Sequence, residues 1–129
     1  MIAVDTNIVV RLLTGDDRVQ TARCQNLIER EQVIVYLSVV LESEWVMRTT
    51  YRYPQDRIMH AFASLMGLEN VTFESPETVA TAIDFARAGM DFADALHLAN
   101  AADRDGFVTF DQRLIRIAAT LGIPNVREP

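Results

Sequence analysis

At 129 residues, half of them apolar and 23% charged, the chain suits one domain with a substantial core and lacks the composition of a disordered segment. No apolar run approaches the roughly 18 residues that span a bilayer, and no basic-then-apolar leader opens the sequence. A net charge of −6 argues against diffuse electrostatic attraction to nucleic acid or to an anionic membrane, unless bound metal cancels clustered carboxylates. All 12 basic residues are arginine, which suits bidentate phosphate contacts and equally reflects coding bias. The single cysteine, Cys24, forms no internal disulfide, makes a poor zinc site and reads as a buried apolar thiol, features that fit the cytoplasm.

Ile2 to Val4 reads as a short strand running straight into Asp5, and Asn7 to Leu13 as a buried helix broken at Gly15. Asp16 and Asp17 open a second helix carrying Val19, Cys24, Leu27 and Ile28, where acids complement the helix dipole. Val33 to Leu37 is a β-branched strand, and Ser38 is placed to cap a helix from about Val39 to Thr50. Pro54 starts a helix bearing Ile58, Phe62 and Leu65; Val71 to Phe73 is a third strand, and Ser75-Pro76 opens the next helix. After Gly89, Asp91 starts a helix from Phe92 to Asp103. Phe107 to Thr109 reads as a fourth strand, Asp111 caps a helix ending at Gly122, and Ile123 to Val126 suits an edge strand. Strands alternating with helices predict one α/β domain over 1–129, with a parallel sheet covered by helices on both faces.

Open parallel sheets place ligands at the carboxyl ends of their strands, which is where Asp5 and Asp111 fall. On the third helix, Glu44 pairs with Arg48 at i+4 as an exposed ion pair would. Glu42, with Val39, Trp45 and Val46 at helical spacing, reads as a carboxylate on the apolar stripe. Such a group needs a buried arginine or a cation shared with Asp5, and the cation is preferred. Asp91 is readily explained as a cap, whereas Asp94 sits in an otherwise apolar helix with Leu98 four residues on. Thr109 is placed to orient a ligand water or carboxylate, and is also an ordinary strand residue. Singly, each acid has a structural explanation. Together Asp5, Glu42, Asp94 and Asp111 share one topological edge, and hard oxygen ligands select Mg²⁺ or Mn²⁺ for phosphodiester hydrolysis.

Val4-Asp5-Thr6-Asn7, Leu41-Glu42-Ser43-Glu44-Trp45-Val46-Met47, Asp91-Phe92-Ala93-Asp94-Ala95-Leu96-His97-Leu98-Ala99 and Thr109-Phe110-Asp111, in that order, resemble the motifs of PIN-domain ribonucleases. The resemblance covers nearly the whole chain and is nearest to VapC-type toxins of prokaryotic toxin–antitoxin pairs. It implies a PIN-like three-layer α/β/α sandwich with a central parallel sheet of four to five strands. It also implies a Mg²⁺- or Mn²⁺-dependent endoribonuclease, a homodimer, and inhibition by a small VapB-type antitoxin. Under it Asp5 and Asp94 are metal ligands, Glu42 (selected over Glu44 by its spacing to Trp45) and Asp111 complete the acidic pocket, and Asn7, Asp91 and Thr109 support them. The haloacid-dehalogenase arrangement is disfavoured because Asn7 stands where it wants a second aspartate. A non-catalytic PIN-like scaffold for RNA or protein is the remaining alternative. Arg48, Tyr51, Arg52, Tyr53 and Arg57 read as a solvated helix end with core tyrosines, with base stacking the sharper option. His97 reads as a packing residue.

Overall fold

A computed structural model describes residues Met1–Pro129. Five strands, β1 (Ile2–Ala3), β2 (Val33–Val35), β3 (Val71–Phe73), β4 (Phe107–Val108) and β5 (Val126–Arg127), are joined by seven helices. The helices are α1 (Thr6–Thr14), α2 (Arg18–Arg30), α3 (Leu37–Thr49), α4 (Gln55–Met66), α5 (Pro76–Arg87), α6 (Phe92–Asn100) and α7 (Gln112–Thr120). Every strand pairing is parallel, as the alternation of strands with helices predicts. The strands fall into two hydrogen-bonded ladders, β1-β2-β3 and β4-β5. Ile2 lies opposite Val33 and Val33 opposite Val71 in the first; Phe107 lies opposite Val126 in the second.

Local chemistry sets the element ends. Asp17 and Asp111 cap α2 and α7 by accepting the backbone N–H of Gln20 and Leu114. Gly15 closes α1 in the left-handed region, φ 65°, where its N–H reaches the Arg11 carbonyl. Pro76 occupies the first turn of α5, where a missing N–H costs nothing. Several boundaries differ from the sequence expectation, and β1, β2 and β4 end earlier than expected, at Ala3, Val35 and Val108. Leu37 begins α3 because the Glu74 carboxylate at the end of β3 accepts its N–H at 2.8 Å, replacing the cap expected from Ser38. Pro54 precedes α4 as its extended cap residue. The helix from Phe92 stops at Asn100, and β5 begins three residues later than Ile123.

The core is one cluster of 24 buried side chains, drawn from both the strands and the helices. Phe62 of α4 and Phe92 of α6 are fully buried with ring centroids 5.6 Å apart. Helix α1 packs on α2 and α3, and α4, α5 and α6 pack in succession. This brings the amino-terminal ends of α1, α6 and α7, each capped by an aspartate, to the solvent side of the core. No helix is long and apolar enough to cross a membrane.

Candidate active site

Asp5 follows β1 directly and caps α1, its Oδ1 accepting the Thr6 N–H at 2.7 Å while the side chain stays exposed. With Asn7 and Glu42 it lines a cavity of about 400 Å³, whose wall is completed by Arg11, Thr50 and Tyr51.

Glu42 reaches this cavity for a reason other than the one its neighbours suggested. The buried residues of α3 are Val40, Ser43, Glu44 and Met47, an i, i+3, i+4, i+7 stripe that passes through Glu44. Trp45 is 55% exposed, so taking it as a core residue turns the helix to the wrong face. Glu42 is exposed, and Glu44, expected in an exposed ion pair, is only 2% exposed. Its Oε1 accepts from Arg48 Nε at 2.8 Å, and Arg48 itself is open to solvent. That bond holds the Arg48 guanidinium above its usual basicity; burial opposes it, and the charges of Glu44 and Asp91 add lesser support. Arg48 thus links α3 electrostatically to the start of α6.

Asp91, Asp94 and Asp111 line a second cavity, of about 220 Å³, with Arg113 at its rim and Leu114 and Ile117 at its base. Asp91 Oδ2 accepts the Asp94 N–H at 3.3 Å, and Thr109 Oγ1 accepts the Asp111 N–H at 3.0 Å. The Asp94 carboxyl is pushed above the usual carboxylate range, first by burial and then by the charges of Asp91 and Asp111; His97 opposes the shift. His97 is exposed, contrary to a packing role, because the buried stripe of α6 runs through Phe92, Ala95, Leu96 and Ala99.

Of the four acids, Asp5 and Glu42 line one cavity, and Asp94 and Asp111 line another. No three His, Cys, Asp or Glu side chains converge closely enough to cage an ion by themselves. The donor chemistry still fits a hard divalent cation. Mg²⁺ is ordinarily held by one or two carboxylates, with water and substrate phosphate completing its shell. At Asp94, two neighbouring carboxylates add negative charge that His97 opposes only in part and that a cation would offset.

The PIN domain model matches residues 2–120. The chain belongs to the PIN domain family. No curated protein matches it. Membership places the chain among proteins of nuclease fold, and PIN domains are generally metal-dependent nucleases acting on nucleic acid.

Around the PIN-domain acids stand Arg11 and Gln20, which the sequence did not single out, and Asp16 and Tyr51, which it assigned to other roles. Arg11 Nε donates to Gln20 Oε1 at 2.7 Å, and its Nη1 donates to Asp16 Oδ1 at 3.0 Å and to the Tyr51 hydroxyl at 3.2 Å. The same hydroxyl donates to Asp16 Oδ2 at 2.6 Å. The Tyr51 bond, aided by the Arg11 charge, holds Asp16 below the usual carboxylate range. Asp16, expected to serve only the start of α2, thus ties α1 to the end of α3. The Tyr51 ring also lies tilted at 58° beside that of Tyr53, which carries the Arg57 guanidinium 3.7 Å from its centroid. The helical spacing of Asn7 and Arg11 was the one available signal for this wall. Nothing in the sequence joins Asp16 to Tyr51, 35 residues away.

Proposed function

We propose that this PIN-domain chain is a Mg²⁺- or Mn²⁺-dependent endoribonuclease that acts as the toxin of a toxin–antitoxin pair. The observation that carries the reading is the half-buried Asp94, which shares one cavity of a nuclease-fold chain with Asp91 and Asp111 and whose carboxyl is raised first by burial and then by those two charges. In this reading Asp5 and Asp94 hold metal, Glu42 and Asp111 complete the acidic groove, and Asn7, Asp91 and Thr109 support it. Bound metal would supply an activated water and charge neutralisation at the scissile phosphate. The chain's own residues do the rest. Asp91 and Thr109 accept the backbone N–H groups of Asp94 and Asp111, which fixes the backbone that carries both carboxylates. Arg113 and Arg48, at the margins of the acidic groove, offer guanidinium groups to an RNA backbone. A VapB-type antitoxin, a homodimer and a cytoplasmic setting belong to the same reading and rest on the motif resemblance.

The test is cleavage of RNA by purified, antitoxin-free protein with Mg²⁺ or Mn²⁺, beside Asp5→Asn, Asp94→Asn and a chelator. Cleavage lost in all three controls supports the nuclease. A second reading, a PIN-like scaffold that binds RNA or protein without cutting, is favoured by the division of the acids between two cavities. RNA bound but uncut by wild type across varied sequences and both metals would select it.

A further inference from the structure

A further cavity lies outside both acidic pockets, between α1 and α2. It measures about 520 Å³, within the range of small-ligand sites. Ile8, Cys24 and Leu27 form an apolar floor; Asn7, Arg11, Gln20 and Arg23 form the polar rim. Two of these, Asn7 and Arg11, also line the cavity that holds Asp5 and Glu42, so the two spaces share a wall.

The two rim arginines are prepared differently. Arg11 is held from one side: Nε and Nη1 are engaged by Gln20, Asp16 and Tyr51, while Nη2 makes no hydrogen bond to the protein. Arg23 is exposed and its side chain makes no ion pair or hydrogen bond. One oriented guanidinium and one free guanidinium face an apolar floor, with the Asn7 amide at the shared wall. In a chain of net charge −6, diffuse attraction to a polyanion is weak, so phosphate must be met locally.

We infer that the α1–α2 cavity is a nucleotide subsite, which takes one nucleotide of single-stranded RNA flanking the cleaved bond and sets its phosphate between Arg11 and Arg23. The inference rests on the nuclease reading above. The apolar floor receives the ribose or base face, and the Asn7 and Gln20 amides meet its polar edges. The shared wall decides for RNA over a protein segment: a strand crossing Asp5 runs next past Asn7 and Arg11.

The experiment measures binding of fluorescein-labelled random-sequence RNA decamers to the full chain in chelator, as a function of salt. Cleavage of the same RNA with Mn²⁺ is followed in parallel. Arg23→Gln is expected to weaken binding about five- to tenfold at low salt and to flatten the salt dependence by about 0.7, the loss of one phosphate contact on a single strand. Arg30→Gln, an exposed change on the same helix outside the cavity, is expected to bind as wild type. Wild-type binding and salt slope in Arg23→Gln, or equal weakening by Arg30→Gln, would overturn the subsite, while intact wild-type cleavage would leave the nuclease standing. If wild type neither binds nor cuts the RNA, both ideas fall, and a protein segment becomes the occupant to seek.

Discussion

Asp91 caps α6 by accepting the backbone N–H of Asp94, and in doing so holds one negative charge against another three residues on. The cap stabilises the helix start, whereas ionisation of Asp94 works against the fold. The Asp94 carboxyl is raised above its unfolded value, so the folded chain binds its proton more tightly than the unfolded chain does. Its contribution to stability is complete below the ordinary carboxylate range and is lost as pH rises through the raised folded value. Asp94→Asn should therefore melt higher than metal-free wild type at neutral pH, with the gap closing in acid. Thermal melts across pH would check this, and a gap that widened in acid would contradict it.

Divalent metal should reverse the same penalty. A cation that binds only the folded chain stabilises it by about 2.7 kcal/mol at a hundred times its dissociation constant. Mn²⁺ or Mg²⁺ is expected to raise the wild-type melting temperature and to leave Asp94→Asn nearly unmoved. Equal shifts in both proteins would remove Asp94 from any metal site.

Asp111 has two jobs that different substitutions separate. Asparagine caps helices about as well as aspartate, so Asp111→Asn should keep α7 intact, whereas Asp111→Ala should lose about 1 kcal/mol. If its charge serves cleavage, both variants should lose activity alike, by about a hundredfold or more. Activity that followed stability instead would make Asp111 a cap alone.

Glu44 and Arg48 should respond unequally. Removing Arg48 strands a carboxylate that is 2% exposed, so Arg48→Met should cost about 2–3 kcal/mol. Glu44→Gln frees a guanidinium that already reaches water and should cost under about 1 kcal/mol. Urea denaturation of the two variants measures the asymmetry.

Packing of the centre carries a larger effect. Phe62→Ala removes a fully buried ring in contact with Phe92 and should destabilise by about 3–5 kcal/mol. A loss below about 1 kcal/mol in denaturant titration would mean that the site collapses around the missing ring.

The order of elements was written in local sequence. β-Branched runs marked β2 and β3; Asp17, Asp111, Gly15 and Pro76 marked helix ends, because caps and breakers act within a few residues of themselves. Motif order was also local, and it led to the family that the match over residues 2–120 supports. The side chains at risk were those whose neighbours come from elsewhere in the chain. Trp45 looks like core and is exposed; Glu44 looks exposed and is buried; the Glu74 carboxylate, from the end of β3, replaces the cap that Ser38 seemed to offer. Which face of α3 is buried depends on α1, α4 and α6 packing around it, information that an amphipathic pattern with one misleading tryptophan does not hold. Likewise, Asp5, Glu42, Asp94 and Asp111 could be picked out one by one at strand and helix ends, but which of them line the same cavity, Asp5 with Glu42 and Asp94 with Asp111, depends on how the helices pack. Local propensity acts through covalent neighbours and so can be read along the chain. Burial, pairing and cavity walls are made by contacts distant in sequence, and only the folded packing fixes them.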